Sequence, residues 1–179
     1  LFKYSFTSWL AGFLLYTIGT VIILQASVIF SIIIIGFLTP MILKILHKKY
    51  YLHLELHGYG TWFSPIWVLA KSSFMMIFLF VILIPVYFVP VLNIIAFSIP
   101  FYYFFHKLLN FDVSSTILSA EQYKIIYEKE ANNFRLRTLF LYFISMIPFA
   151  TLFTAVYYII YLGHSYFVKL EELNKIENN

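Results

Sequence analysis

The chain has no cysteine among its 179 residues. Disulfide staples, thiolate nucleophiles and cysteine-ligated metals are therefore excluded, and cysteine usage says nothing of redox compartment. Charge is almost as scarce. Only 11% of the residues are charged, against roughly 25% in a soluble domain. So few charges could not cover the surface of a water-soluble globule of this size, so the soluble, disordered and collagen-like classes drop out. Also missing are a Gly-x-Ser-x-Gly elbow, a P-loop and a pair of carboxylates inside an apolar run. The motif-borne hydrolase and nucleotide chemistries therefore have no support, and no cofactor is called for. What is present is apolar: 62% hydrophobic and 22% aromatic residues, with a mean hydropathy of +0.87. The remaining class is an integral membrane protein whose first partner is the lipid bilayer. The net charge of +4 then reads as loops held on the cytoplasmic side rather than as nucleic-acid binding. Because the first residue is Leu1 and not Met, we expect the native N-terminus to be missing.

Three uncharged stretches organise the chain: 4–43, 72–105 and 138–168, of 40, 34 and 31 residues. A helix crossing the hydrocarbon core needs about 20 residues, so each must tilt, overhang or fold back. The first reads as one long transmembrane helix over 9–46, with Trp9 as an interface anchor and Lys44, Lys48 and Lys49 as its basic flank. Pro40 is expected to kink it, and Gln25 reads as a helix–helix hydrogen bond. The second stretch carries Pro85 and Pro90 at its centre, followed by Asn93. That spacing predicts a turn. Its arms, 72–84 and 91–105, would each reach about 20 Å at about 1.5 Å per residue, short of a core of about 30 Å. The third stretch repeats the theme around Pro148, and Phe80–Pro85 weakly echoes Phe143–Pro148. We therefore expect an all-α membrane domain over 1–179: the long helix, a re-entrant hairpin over 64–109, then a surface helix and second hairpin over 119–170.

Charge counting separates this topology from its rival. If all three stretches cross once, the lysines and arginines divide six to each side; if two are hairpins, eleven share one face and only Lys3 lies opposite. The positive-inside rule favours the hairpins.

The segment 106–137 is the most polar. Phe111-Asp112-Val113-Ser114-Ser115 reads as a turn, which leaves Asp112 in a loop and proton-coupled transport without a buried acid. Ser119 and Gln122 fit a capping box that starts an amphipathic helix running to about Arg137. Lys107, Arg135 and Arg137 stand at the hairpin mouths, where they could attract an oxyanion or serve topology alone. Asn93 could bind turn backbone or meet a permeating ion. Helix N-termini at the tips would add partial positive charge there. His53, Glu55 and His57 are weak metal candidates: at i and i+4 on a helix the two histidines would share a face, but the order is not His-Glu-x-x-His. The plainer reading is interfacial histidines. Gly58-Tyr59-Gly60 reads as a flexible interfacial turn, because a channel filter would need Thr-Val before it.

The arrangement resembles the CysZ-type sulfate permeases and their wider relatives, the etoposide-induced protein family. The likeness is carried by Gly36-Phe37-Leu38-Thr39-Pro40, by Ile84-Pro85 with Val89-Pro90-Val91-Leu92-Asn93, by Leu109-Asn110-Phe111-Asp112, by Leu118–Gln122 and by Met146-Ile147-Pro148. Two features depart from it: Phe149-Ala150 stands where the second tip of CysZ usually continues with Asn, and its Gly-Leu-Arg motif is absent. The resemblance implies a multi-pass protein of the bacterial inner membrane, a homo-oligomer or part of a larger complex. It also implies passage of sulfate or a similar inorganic anion and no enzymatic activity. The competing reading is a non-transporting scaffold or accessory subunit.

Overall fold

The computed structural model describes residues 2–61, 63–89, 92–147 and 150–177. They form α1 (Phe2–Tyr50), α2 (Ser64–Ile82), α3 (Ile84–Tyr87), α4 (Leu92–Ile117), α5 (Ala120–Ser145) and α6 (Ala150–Glu177), with no strand among the described residues. The all-helical membrane class is as expected. The Ile22–Tyr50 part of α1, α2 and α4 are each long and apolar enough to cross a bilayer.

The 49 residues of α1 make a rod of about 74 Å at about 1.5 Å per residue. Its second half buries one stripe: Gln25, Val28, Ser31, Ile35, Thr39, Ile42 and Leu46. Steps of three and four keep these on a single helical face, which packs along α6 and α4. The opposite face exposes Ile29, Ile33, Phe37 and Met41, as a lipid-facing helix does. Trp9, Leu15 and Tyr16 in the first half are also exposed. Pro40 stands inside α1, which continues on both sides of it. Gln25 behaves as expected, its side-chain oxygen accepting from Tyr142 at 3.1 Å.

The chain turns back on itself twice, α2 packing on α4 and α5 on α6. α2 ends at Ile82; Pro85 occupies the first turn of α3, where a missing N–H costs nothing. The Asn93 N–H then reaches back to the Val89 carbonyl at 3.1 Å. α2 returns against α4 through Phe80, 5.3 Å from both Phe97 and Phe101. α5 ends at Ser145 and α6 begins at Ala150. They pack through Phe134 stacked on Tyr166 at 4.3 Å and Ser145 bonded to Tyr158. Pro90 and Pro148 lie outside the described residues.

Three expectations need correction. The turn at 111–115 does not form, because α4 runs on to Ile117. Its hydroxyls bond back into the helix, Thr116 to the Asp112 carbonyl at 2.9 Å and Ser114 to that of Phe111 at 3.5 Å, so the polar run does not stop it. Asp112 therefore lies in α4, its carboxylate against Gly36 of α1, not in a loop. The first reversal accordingly spans 64–117 rather than 64–109. Nor is there a separate surface helix. The capping box at Ser119 and Gln122 is present, but α5 continues without a break through Arg137 to Ser145, because nothing between 131 and 145 terminates it.

An ion pair ties α5 to α6: Lys169 Nζ donates to Glu130 at 2.8 Å. That bond, then one from Asn133, holds the Glu130 carboxyl below its ordinary value of 4.5. A folded-state value below the unfolded one adds stability that is present above the unfolded value and lost as pH falls through the folded one. The pair is partly exposed, so we expect a loss of about 1 kcal/mol or less on acidification below about pH 4.5. Melting curves of wild type and Glu130→Gln test this, the variant losing that part of the acid dependence.

Candidate functional site

The segment 51–61 that follows α1 is irregular, and it docks on the end of α4. His57, Tyr59 and Gly60 donate their N–H groups to the carbonyls of Ile117, Leu118 and Ser115, at 3.2, 3.1 and 3.4 Å. This satisfies carbonyls that a helix end leaves unpaired. A Cβ on Gly58 would stand 3.2 Å from the Ser115 carbonyl oxygen, so a glycine permits the approach. The expected flexible turn is thus a fixed lid on α4. The helical face on which His53 and His57 would stand together does not exist. His53 lies 4.0 Å from Glu171 and His57 lies 3.6 Å from Glu55. Among the described residues no three His, Asp or Glu side chains converge.

Beside this loop opens a cleft of about 620 Å³ between the starts of α2 and α5 and the middle of α4. Lys71 and Lys107 line it, with Thr61, Ser64, Ser72, Tyr59, Tyr103 and Tyr123 as hydroxyl bearers and Phe63, Trp67 and Phe111 as apolar wall. The Lys107 ammonium sits over the rings of Tyr127 and Tyr103, 5.4 and 5.9 Å from their centroids. Burial pushes the Tyr59 and Tyr123 phenols above their ordinary value, so both remain neutral O–H groups at physiological pH.

The three basic residues singled out by sequence do not meet. Lys107 lines the cleft, together with Lys71. Arg137 faces a second cavity of about 410 Å³ with His164 and Lys169. There its guanidinium donates to Ser165 Oγ at 2.8 Å and lies 5.3 Å from the Tyr161 ring centroid. Arg135 is exposed, its guanidinium reaching Asn132 at 3.3 Å. At the first reversal Pro85 is exposed and the exposed Asn93 side chain has no hydrogen bond among the described residues. A groove of about 320 Å³ between α1, α4 and α5 holds Gln25, Ser98 and Tyr142 in apolar walls. Tyr142 donates toward Gln25 and the Ser98 carbonyl, both at 3.1 Å. Groove and cleft share no lining residue.

Sequence reasoning missed a buried network joining α4, α5 and α6. His106 Nδ1 lies 2.6 Å from Thr138 Oγ1 and its Nε2 lies 3.2 Å from the Tyr127 hydroxyl. Asn110 donates to the His106 carbonyl at 2.8 Å and accepts from Tyr166 at 2.7 Å. His106, Asn110, Thr138 and Tyr166 are all buried. The available signal was the i, i+4 spacing of His106 and Asn110, two polar side chains on one helix face at the end of an apolar run.

A long α1 with two antiparallel helix pairs packed against it agrees with the arrangement that the family resemblance implies. The family model for sulfate transporter CysZ/etoposide-induced protein 2.4 matches residues 2–155. The chain belongs to that family. No curated protein and no solved structure gives a match. As a member of the CysZ/etoposide-induced family it is a membrane protein of the sulfate-transporter type, a family of transporters rather than enzymes.

Proposed function

We propose that the protein is a CysZ-like permease of the bacterial inner membrane that passes sulfate or a similar inorganic anion, its basic loops facing the cytoplasm. The observation that carries this reading is that Lys71, Lys107, Arg135 and Arg137 all stand eight or more residues from the tip ends of α2, α4 and α5, in a chain of this family.

Half-depth penetration of the reversals is part of the proposal. α2 and α4 are long enough to cross by length alone, but their charges favour a shallower placement. Lys71 stands about 17 Å from the end of α2, Lys107 about 22 Å from the start of α4 and Arg137 about 12 Å from the end of α5, at about 1.5 Å per residue. Each is less than the ~30 Å core. The second tip also meets α1 at Ser27, whose hydroxyl lies 3.4 Å from the Ile147 carbonyl, near the middle of the uncharged stretch 4–43. Backbone left unpaired at such tips must be covered by protein or water. Because cleft and groove share no lining residue, a through-path would be completed between copies, which makes a homo-oligomer part of the proposal. In it Lys107, Arg135 and Arg137 attract the anion, and Pro85, Pro90, Asn93 and Pro148 shape the tips.

Radiolabelled sulfate uptake into proteoliposomes carrying the full natural chain tests the reading. We expect flux above that of empty vesicles, reduced several-fold by Arg135→Gln with Arg137→Gln. Flux no greater than in empty vesicles rejects it. A non-transporting accessory role draws on the same unjoined cavities and would show as co-purification with a larger complex in fixed stoichiometry.

A further inference from the structure

The cleft between α2, α4 and α5 contains more polar chemistry than packing needs. Lys169 and Lys175 at the same end each pair with a carboxylate. Among the described residues Lys71 and Lys107 have no such partner, and no Asp or Glu lines the cleft. The Lys107 ammonium is held in place by the two tyrosine rings rather than left to solvent. Ser72 is only 3% exposed, yet its hydroxyl makes no hydrogen bond among the described residues. Buried helical hydroxyls ordinarily bond the carbonyl one turn back, and here Thr39, Ser145 and Thr138 do so. The Tyr103 and Tyr123 hydroxyls, also on the cleft wall, are likewise without a hydrogen bond there. Two ammonium groups and three spare O–H donors thus face one space, beside an apolar wall that continues onto the exposed Trp67 and Phe63.

We propose that this cleft binds a tetrahedral oxyanion group at the membrane interface, held between Lys71 and Lys107 and hydrogen-bonded by the Ser72, Tyr103 and Tyr123 hydroxyls. Two sources present that group: the phosphate of an anionic phospholipid, whose chains would follow the apolar wall, and free sulfate or phosphate. The inference rests on the membrane placement in the proposed function but not on conduction. A chain that moves no sulfate and still binds at this cleft keeps it; a chain that conducts without this cleft loses only this inference.

The test uses the full chain purified in detergent. Native mass spectrometry compares retention of phosphatidylglycerol with that of phosphatidylcholine of the same chains, and equilibrium dialysis measures binding of labelled sulfate and of phosphate without lipid. Retention of phosphatidylglycerol several-fold above phosphatidylcholine assigns the lipid source; binding of either free ion without that preference assigns the soluble one. In both cases Lys71→Gln with Lys107→Gln should weaken binding about tenfold, as the loss of charge-assisted bonds does. Lys124→Gln, which removes the same charge outside the cleft, should not. Ser72→Ala should weaken binding a few-fold with no change in melting temperature, which separates loss of a donor from loss of fold. The proposal is overturned if phosphatidylglycerol is retained no better than phosphatidylcholine and neither ion binds. It is also overturned if the double lysine variant binds as wild type does.

Discussion

Replacing Gly163 by leucine is expected to cost about 2–3 kcal/mol of stability, the upper part of the range for overpacked cores. Gly163 lies where α6 crosses α1, and a Cβ there would stand 2.7 Å from Leu43 Cδ2 and 3.1 Å from Leu46 Cδ2. Both leucines are buried in the main core. Alanine should be far milder. The atoms it meets are the ends of flexible side chains, and up to about 1 kcal/mol of helix propensity is regained on leaving glycine. Leucine has no such escape, because its added carbons must either displace both core leucines or move α6 off α1. Unfolding in mixed detergent, monitored by circular dichroism, separates the two. If Gly163→Leu is tolerated as well as Gly163→Ala, the close crossing of α1 and α6 is wrong.

Asn110→Leu should cost about 1–3 kcal/mol, the penalty for leaving a buried polar group unpaired. Tyr166 is fully buried and its hydroxyl donates to Asn110 Oδ1 at 2.7 Å. With leucine at 110 that donor loses its acceptor at 2.7 Å and keeps only the Ser114 hydroxyl beside it. Removing the hydroxyl as well, in Asn110→Leu with Tyr166→Phe, should recover part of the loss. The double variant should therefore be more stable than the two single losses added together. Strict additivity in the cycle would mean that the two side chains are not partners.

The sequence revealed the reversals because their signals are local. Pro85 sits at a first-turn position that needs no N–H donor, and the Ser119–Gln122 capping box lies within four consecutive residues. The stripe on α1 follows from spacing alone, and Gln25 is part of it. What stayed hidden depends on partners distant in sequence. Residues 111–115 look like a turn because Asp, Ser and Ser are poor helix formers in isolation. In the fold, hydroxyl back-bonds and the docked 57–60 loop carry the helix to Ile117. The arms were underestimated for a related reason: counting uncharged residues stops at Lys71 and Lys107, whereas α2 and α4 run through both. The candidate site was legible only in part. Lys107 was picked out, but its association with Lys71 rather than with Arg135 and Arg137 comes from the packing of α2 on α4. The His106–Asn110–Tyr166 network needs three helices before it exists.

The account stands or falls on both reversals returning to the face they left. The cysteine-free chain allows a direct test: single cysteines at Lys48, Lys124 and Phe88, labelled with an impermeant maleimide in right-side-out and inverted membrane vesicles. The account predicts that positions 48 and 124 label from the same side and that position 88, at the first tip, resists reagent from both. Labelling of 48 and 124 from opposite sides would contradict it.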